Sequence, residues 1–225
     1  MNKRNKKLYF EWDTISWSRA LLIWHKYLKL NRGNYALEIG GRRGGLSLML
    51  AKEYGMKVVC SDLKNPKETV KLLHQKHETN HKIQYDAVDC MRIGYKDNTF
   101  DIVIFKSVLG ALGTYEKQSL AFQEILRVLK PGGVVLFAEN LECSFFHIYL
   151  RRIFVSWSSY WRYPKLNDIN LFLKNFNFVE INTTGFFATF ARAKFIRTLL
   201  SYFDVVNDKI LPKKNKYIVY GAAIK

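Results

Sequence analysis

Between residues 34 and 140, short apolar runs of strand length alternate with amphipathic runs of helix length. Tyr35–Ile39 reads as a buried strand and Leu46–Tyr54 as a helix. Lys57–Ser61 is a second strand, followed by a helix over Pro66–Glu78 that a proline opens. Lys82–Asp86, Phe100–Phe105 and Val134–Ala138 are the third, fourth and fifth strands. Tyr115–Leu129 is a helix with Ala121, Ile125, Val128 and Leu129 on its apolar face, and it stops at Lys130-Pro131-Gly132-Gly133. Parallel neighbours need a crossover between them, so strands alternating with helices predict a parallel sheet covered on both faces.

The rest of the chain is read around that core as one domain of 225 residues. Residues 1–32 form an N-terminal helical cap, with an amphipathic helix over Thr14–Leu30 carrying Trp17, Leu21, Trp24 and Leu28. Residues 34–140 are the core, and 141–215 a lid and connection. The lid holds a dense aromatic and basic run over 141–163, a helix over Pro164–Lys174, a strand over Phe176–Thr184, and further helix within 186–213. Residues 216–225 contain a final strand, Tyr217–Ile224.

Charge is unevenly spread. The net is +17, with 8 Lys/Arg against 2 Asp/Glu in residues 1–32, 15 against 12 in 33–140, and 13 against 5 in 141–225. Basic ends attract polyanions such as phosphate groups, acidic lipid headgroups or nucleic acid. The three cysteines, Cys60, Cys90 and Cys143, are widely separated and form no CxxC pair. That argues against a disulfide framework and a cysteine metal site, and it predicts a cytoplasmic protein. The basic start is followed by no continuous apolar segment, and Phe145–Val155 is too short and too charged to cross a bilayer.

The first strand runs into Glu38-Ile39-Gly40-Gly41-Arg42-Arg43-Gly44-Gly45, a glycine-rich turn that lets backbone approach a ligand. Asp62 lies 24 residues after Glu38, at the tip of the second strand, where a carboxylate can accept both hydroxyls of a ribose. Asp86-Ala87 ends the third strand, and a short acid there can receive an adenine amino group; Asp89 is the neighbouring, lower-ranked candidate.

These motifs, with Phe100-Asp101-Ile102-Val103 and Leu129-Lys130-Pro131-Gly132-Gly133, resemble in order and spacing the class I S-adenosylmethionine-dependent methyltransferases, particularly their small bacterial, type-11-like members. The resemblance implies a Rossmann-like, seven-stranded, mostly parallel α/β sheet with helices on both faces and an antiparallel last strand. It implies S-adenosyl-L-methionine as cofactor, held by Glu38, Gly40, Gly41, Gly44, Asp62, Leu63, Asp86, Ala87 and Lys106. Arg42 departs from the family, since it stands where the middle glycine is usual. The fourth strand continues into Lys106-Ser107-Val108 and lacks the Asn/Asp-Pro-Pro-aromatic motif of enzymes that methylate exocyclic amines of bases.

Glu139, after the fifth strand, and His147 are the candidate acid–base groups, with His25 behind them. Trp157, Trp161, Arg162 and Tyr163 are the candidate acceptor-binding residues, able to stack on a ring or hold a phosphate. No set of metal ligands is visible. The favoured acceptor is a small or lipid-linked anionic molecule of the sugar or polysaccharide-precursor type. A membrane-associated quinone or lipid acceptor also stands open, with Phe186–Phe203 as a peripheral contact at the inner face of an anionic membrane, and an RNA acceptor ranks last. A non-catalytic S-adenosylmethionine-binding protein and an NAD-dependent oxidoreductase are the readings from other classes. Oligomeric state is not legible.

Overall fold

The computed structural model describes residues 3–11, 13–30, 35–154, 160–191 and 193–225. Trp157 and Arg192 lie outside them. Seven strands, β1 (Tyr35–Ile39), β2 (Lys57–Asp62), β3 (Ile83–Ala87), β4 (Phe100–Lys106), β5 (Leu129–Asn140), β6 (Phe178–Thr184) and β7 (Ile218–Ile224), form one sheet in the order β3-β2-β1-β4-β5-β7-β6. The first five pair in parallel, and β7 runs antiparallel to both β5 and β6. The predicted α/β class and the antiparallel last strand are therefore present.

Helices α1 (Lys3–Phe10), α2 (Thr14–Trp17), α3 (Leu21–Leu30), α4 (Gly45–Glu53) and α5 (Lys67–Lys76) come before β3; α6 (Tyr115–Val128), α7 (Phe145–Phe154), α8 (Leu166–Phe172) and α9 (Lys194–Asn207) follow β4. Apolar residues divide into two clusters. One joins Trp17, Trp24 and Leu48 to Val58, Ile104 and Tyr220; the other joins Leu37, Val103 and Val219 to Phe122 and Ile169. Alternate residues of a strand point to opposite faces, so the continuous apolar run Ile102-Val103-Ile104 feeds both clusters.

Three local expectations are corrected. The single helix over Thr14–Leu30 is broken by a 3-10 turn at Ser18–Ala20, and α1 precedes it unannounced. The stop at Lys130–Gly133 belongs to the strand rather than to a free turn. Gly132 takes φ 75°, its N–H donates to the Lys225 carbonyl, and the Lys225 N–H returns to Gly133. The strand predicted from Phe176 begins at Phe178.

The N-terminal helices are stitched to the end of the chain. Trp24 donates its indole N–H to the Gly221 carbonyl (3.1 Å). Asp13 sits in a left-handed turn (φ 43°) and accepts from the Tyr217 hydroxyl (2.5 Å) and the Ser201 hydroxyl (2.7 Å), both fully buried groups. Removing an acceptor from buried donors strands them at roughly 1–3 kcal/mol each. Asp13→Ala is expected to lower the unfolding free energy by about 2–4 kcal/mol in urea titrations. A loss below about 0.5 kcal/mol, the scale of an ordinary surface change, would show that the bridge carries little.

Candidate functional site

The C-terminal ends of the parallel strands converge on one cavity of ≈ 1040 Å³. Open α/β sheets bind ligands at this edge, where strand order reverses, and β1 and β4 flank that reversal here. The glycine-rich turn forms the floor. Gly40 and Gly44 take φ 66° and 69°, and a Cβ on Gly40 would meet the Val108 side chain at 2.6 Å. Arg42 also holds a positive φ of 41°. The position keeps the conformation that favours glycine, and the arginine, exposed at the cavity's edge, bears the strain. Its N–H donates to Asp62 Oδ2 (3.0 Å), and the Gly41 N–H to the Ser61 carbonyl (2.6 Å). The loop is thereby fastened to the tip of β2.

Glu38 is buried at the end of β1. Its carboxylate accepts from the Ser47 N–H (2.9 Å) and the Ser47 hydroxyl in the first turn of α4, whose N-cap Gly44 offers no side chain. Burial pushes its pKa up to about 7, against the lowering effect of the Ser47 bonds. Lys106, the last residue of β4, is nearly enclosed. Burial lowers its pKa, with Glu11, Glu38 and Glu139 pulling the other way, and its ammonium stands 5.1 Å over the Trp17 ring.

The lid supplies the far wall. Trp161 lies directly on Gly110, where any Cβ would overlap the indole. Tyr163 faces the cavity beneath the Arg151 guanidinium, 3.9 Å from its ring centroid. Arg151 is buried and donates to the Leu141 carbonyl (2.7 Å). Tyr160, of the same aromatic run, lines the cavity too, as do Tyr9, Glu11, Ser107, Asn140 and Arg197, which did not stand out in the sequence as site residues. Tyr9 and Glu11 belong to or follow the unannounced α1. The sequence signal for Arg151 is its i,i+4 spacing from His147 on α7.

The expected cofactor residues share this edge. Gly40, Gly41, Glu38 and Lys106 line the cavity. Gly44, Asp62, Leu63, Asp86 and Ala87 do not line it; the last four stand at the tips of β2 and β3 on the same sheet edge, with Asp62 in register with Ala87. Asp62 receives one N–H on each oxygen, from Arg42 and Leu63 (2.7 Å), which leaves a lone-pair position on each. Asp86 is engaged to the same extent, by the Ala87 N–H on one oxygen (2.8 Å) and the Tyr95 hydroxyl on the other (2.7 Å). Asp89 stands beyond it and keeps one bond, from the Met91 N–H (2.9 Å).

Three expectations for side chains on the acceptor side need correction. Glu139 is buried and does not line the cavity. One oxygen accepts from Val108 and Leu109 N–H (both 2.7 Å) and the other from Asn140 N–H (2.8 Å), so it shapes the loop after β4 and is not free as a base. His147 is buried on the inward side of α7 but does not line the cavity; it is bonded to the Phe186 carbonyl (2.8 Å) and packed on Phe190. Arg162 turns away to Asp168 (2.7 Å) and Gln118, while its neighbours Trp161 and Tyr163 do reach the cavity.

Comparison with known proteins agrees with this geometry. Residues 37–137 match the family model described as a methyltransferase domain. The chain is 31% identical over 104 residues to phosphoethanolamine N-methyltransferase 2 of Caenorhabditis elegans, covering 46% of this chain and 23% of that one. It is 32% identical over 113 residues to the ubiquinone/menaquinone biosynthesis C-methyltransferase of Hydrogenovibrio crunogenus, covering 48% and 42%. Each match thus spans less than half of the relative's own length. The fold is similar to that of Haemonchus contortus phosphoethanolamine N-methyltransferase 2, solved with phosphomonomethylethanolamine and S-adenosylhomocysteine, at TM-score 0.66 and 21% identity over 93% of this chain and 52% of that one.

Burial lowers the His147 pKa from an ordinary 6.5 to about 4. Between those values the unfolded chain binds a proton that the folded chain refuses, so stability falls as pH drops through this window. Unfolding free energies measured at about pH 7, 5.5 and 4.5 are expected to decline by up to about 1.4 kcal/mol per pH unit for this proton, and His147→Gln to flatten the decline. Parallel profiles for the two proteins would rule this histidine out as their source.

Proposed function

The core of this chain is a class I S-adenosylmethionine-dependent methyltransferase domain, and from that premise we propose that the chain transfers a methyl group to a small acceptor bearing a phosphate or carboxylate. The observation that carries the acceptor class is the charge of the cavity. Arg42, Arg43, Lys106, Arg151 and Arg197 line it against Glu11 and Glu38. Arg151 is buried, and no ion pair joins it or Lys106 to an acid among the described residues. A buried cation without an anion is costly unless a ligand supplies the charge. S-adenosylmethionine brings a sulfonium, an ammonium and one carboxylate, so its own net charge cannot balance this surplus.

The residues present fit the cofactor. The floor at Gly40–Gly44 is backbone, Asp62 has lone pairs for two ribose hydroxyls, and Asp86 and its neighbour Asp89 both keep acceptor positions for an adenine amino group. Lys106 would hold the carboxylate of the methionine part. When bound, the cofactor supplies a methyl group already activated on sulfur. The chain's task is then to align the acceptor and exclude water, which in favourable cases lowers a barrier by roughly 7–11 kcal/mol.

On this reading Arg151 and Arg197 grip the acceptor's anion, and Trp161 and Tyr163 pack on its body. Where the acceptor must lose a proton, Glu11 takes the role expected of Glu139 and His147. It lines the cavity, and its ion-pair contact is with Arg43 at 4.0 Å. A phosphorylated acceptor accords with the name of the Caenorhabditis elegans relative. Sugar phosphates and lipid-linked glycan precursors belong to the same chemical class.

Titration calorimetry with S-adenosylhomocysteine tests the cofactor half. Asp62→Ala is expected to weaken binding about 10- to 100-fold, the loss of hydrogen bonds to a charged group, and the larger of the losses in Asp86→Ala and Asp89→Ala identifies the adenine partner. An unchanged Kd for Asp62→Ala would remove the ribose assignment. For the acceptor, methyl-labelled cofactor is incubated with cell extract, which is then fractionated. Label is expected in anionic small molecules or lipids, and Arg151→Met should cut it at least tenfold while leaving S-adenosylhomocysteine affinity within twofold. Label confined to neutral compounds or RNA would overturn the acceptor class.

A further inference from the structure

Helices α7 and α9 are turned inside out. The inward side of α9 carries Ser201 and Asp204, both fully buried. Asp204 accepts from the Phe187 and Ala188 N–H groups (2.8 and 3.0 Å), and Ser201 donates to Asp13. The outward side carries Phe195, Leu199, Tyr202 and Val206, which are 80%, 60%, 55% and 76% exposed. Their spacing of four, three and four residues makes one continuous stripe. In the same way, α7 buries His147 and Arg151 and exposes Phe145, Phe146, Tyr149 and Ile153. A helix that packs on a water-soluble core normally shows the opposite arrangement.

The two helices are parts of one surface. His147 of α7 packs against Phe186 and Phe190 (4.7 and 4.5 Å between ring centroids), and Phe187 packs against Phe203 of α9 (5.3 Å). Their inner sides, through Leu150, Arg151, Phe190 and Arg197, build the wall of the cavity. The charge around the outer face has one sign. Residues 186–216 hold seven Lys/Arg and two acids, Asp204 and Asp208. Asp204 is buried, and Asp208 is bound to Arg19 (3.1 Å) and Lys216 (3.5 Å). Arg152, Lys194, Lys209, Lys213 and Lys214 are exposed.

We propose that this face docks on an anionic phospholipid bilayer, with the aromatic and aliphatic stripe entering the headgroup boundary and the lysines meeting acidic headgroups. Apolar area and positive charge together are what such a surface selects, and neither alone sets the preference. Among the described residues no helix is long and apolar enough to cross a membrane, so the contact is in the plane of the interface. The docking does not rest on methyl transfer. If both hold, an acceptor anchored in the bilayer meets the cavity from its lipid side.

Co-sedimentation of the full chain with vesicles tests this directly. Vesicles containing about one-third phosphatidylglycerol are expected to bind at least tenfold more protein than pure phosphatidylcholine at about 0.1 M salt, with much of that gain lost near 0.5 M as the charges are screened. Leu199→Glu with Val206→Glu should lower binding at least tenfold, while the circular dichroism spectrum and S-adenosylhomocysteine affinity stay unchanged. Lys213→Glu with Lys214→Glu should erase the preference for anionic lipid. Absence of binding to either vesicle overturns the proposal, as does equal binding to both. So does a wild-type dimer that ignores vesicles and becomes monomeric with the two glutamates, which would assign the face to a second copy of the chain.

Discussion

The site depends on the way β1 hands over to α4. Glu38 reaches past the turn and accepts from Ser47 in the first turn of the helix, while Gly40, Arg42 and Gly44 bend the backbone through left-handed conformations. A helix begins with N–H groups that lack partners and with a partial positive charge, and a buried carboxylate answers both. That one contact fixes where α4 starts. With the bonds from Arg42 to Asp62 and from Gly41 to Ser61, it also fixes how the floor of the cavity meets β2. The strand tips farther out are then positioned by ordinary parallel register.

Much of the core was legible because its signals are local. Alternating apolar runs predict parallel strands, and a glycine-rich turn followed at the right distance by Asp62 predicts a nucleotide edge. What stayed hidden depends on contacts between distant parts of the chain. Nothing local in Lys3–Phe10, with four basic residues in eight, marks a helix that brings Tyr9 to the cavity. Asp86 ranks above Asp89 in the sequence, and the bond that Tyr95 makes to it is a contact no local pattern announces. Glu139 has the chemistry of a base, but three backbone N–H groups absorb it. Arg162 has the chemistry of a phosphate ligand in its aromatic run, but Asp168, six residues on, pairs with it instead.

The lid shows that residue type and burial can be deliberately mismatched. Arg151 and His147 are inside, and many of its aromatics are outside. The inward cations give the cavity its charge, and the outward apolar groups give the surface its stickiness. Both follow from the same pair of helices being rotated relative to the usual arrangement. A sequence profile alone registers only that the segment is rich in both kinds of residue, since helical periodicity reports an amphipathic face without saying which side meets the sheet.

The place of β7 has a consequence for biosynthesis. It is the latest strand in the chain, yet it lies inside the sheet, between β5 and β6. Until Ile218–Ile224 leaves the ribosome, β5 has an open edge and β6 has no strand to join. The nucleotide edge, made from earlier residues, therefore waits on a closing insertion, and a nascent chain that stalls shortly before it presents an unsatisfied apolar ladder to its neighbours. For this topology, protection by chaperones matters most before Ile218–Ile224 has emerged to fill the gap.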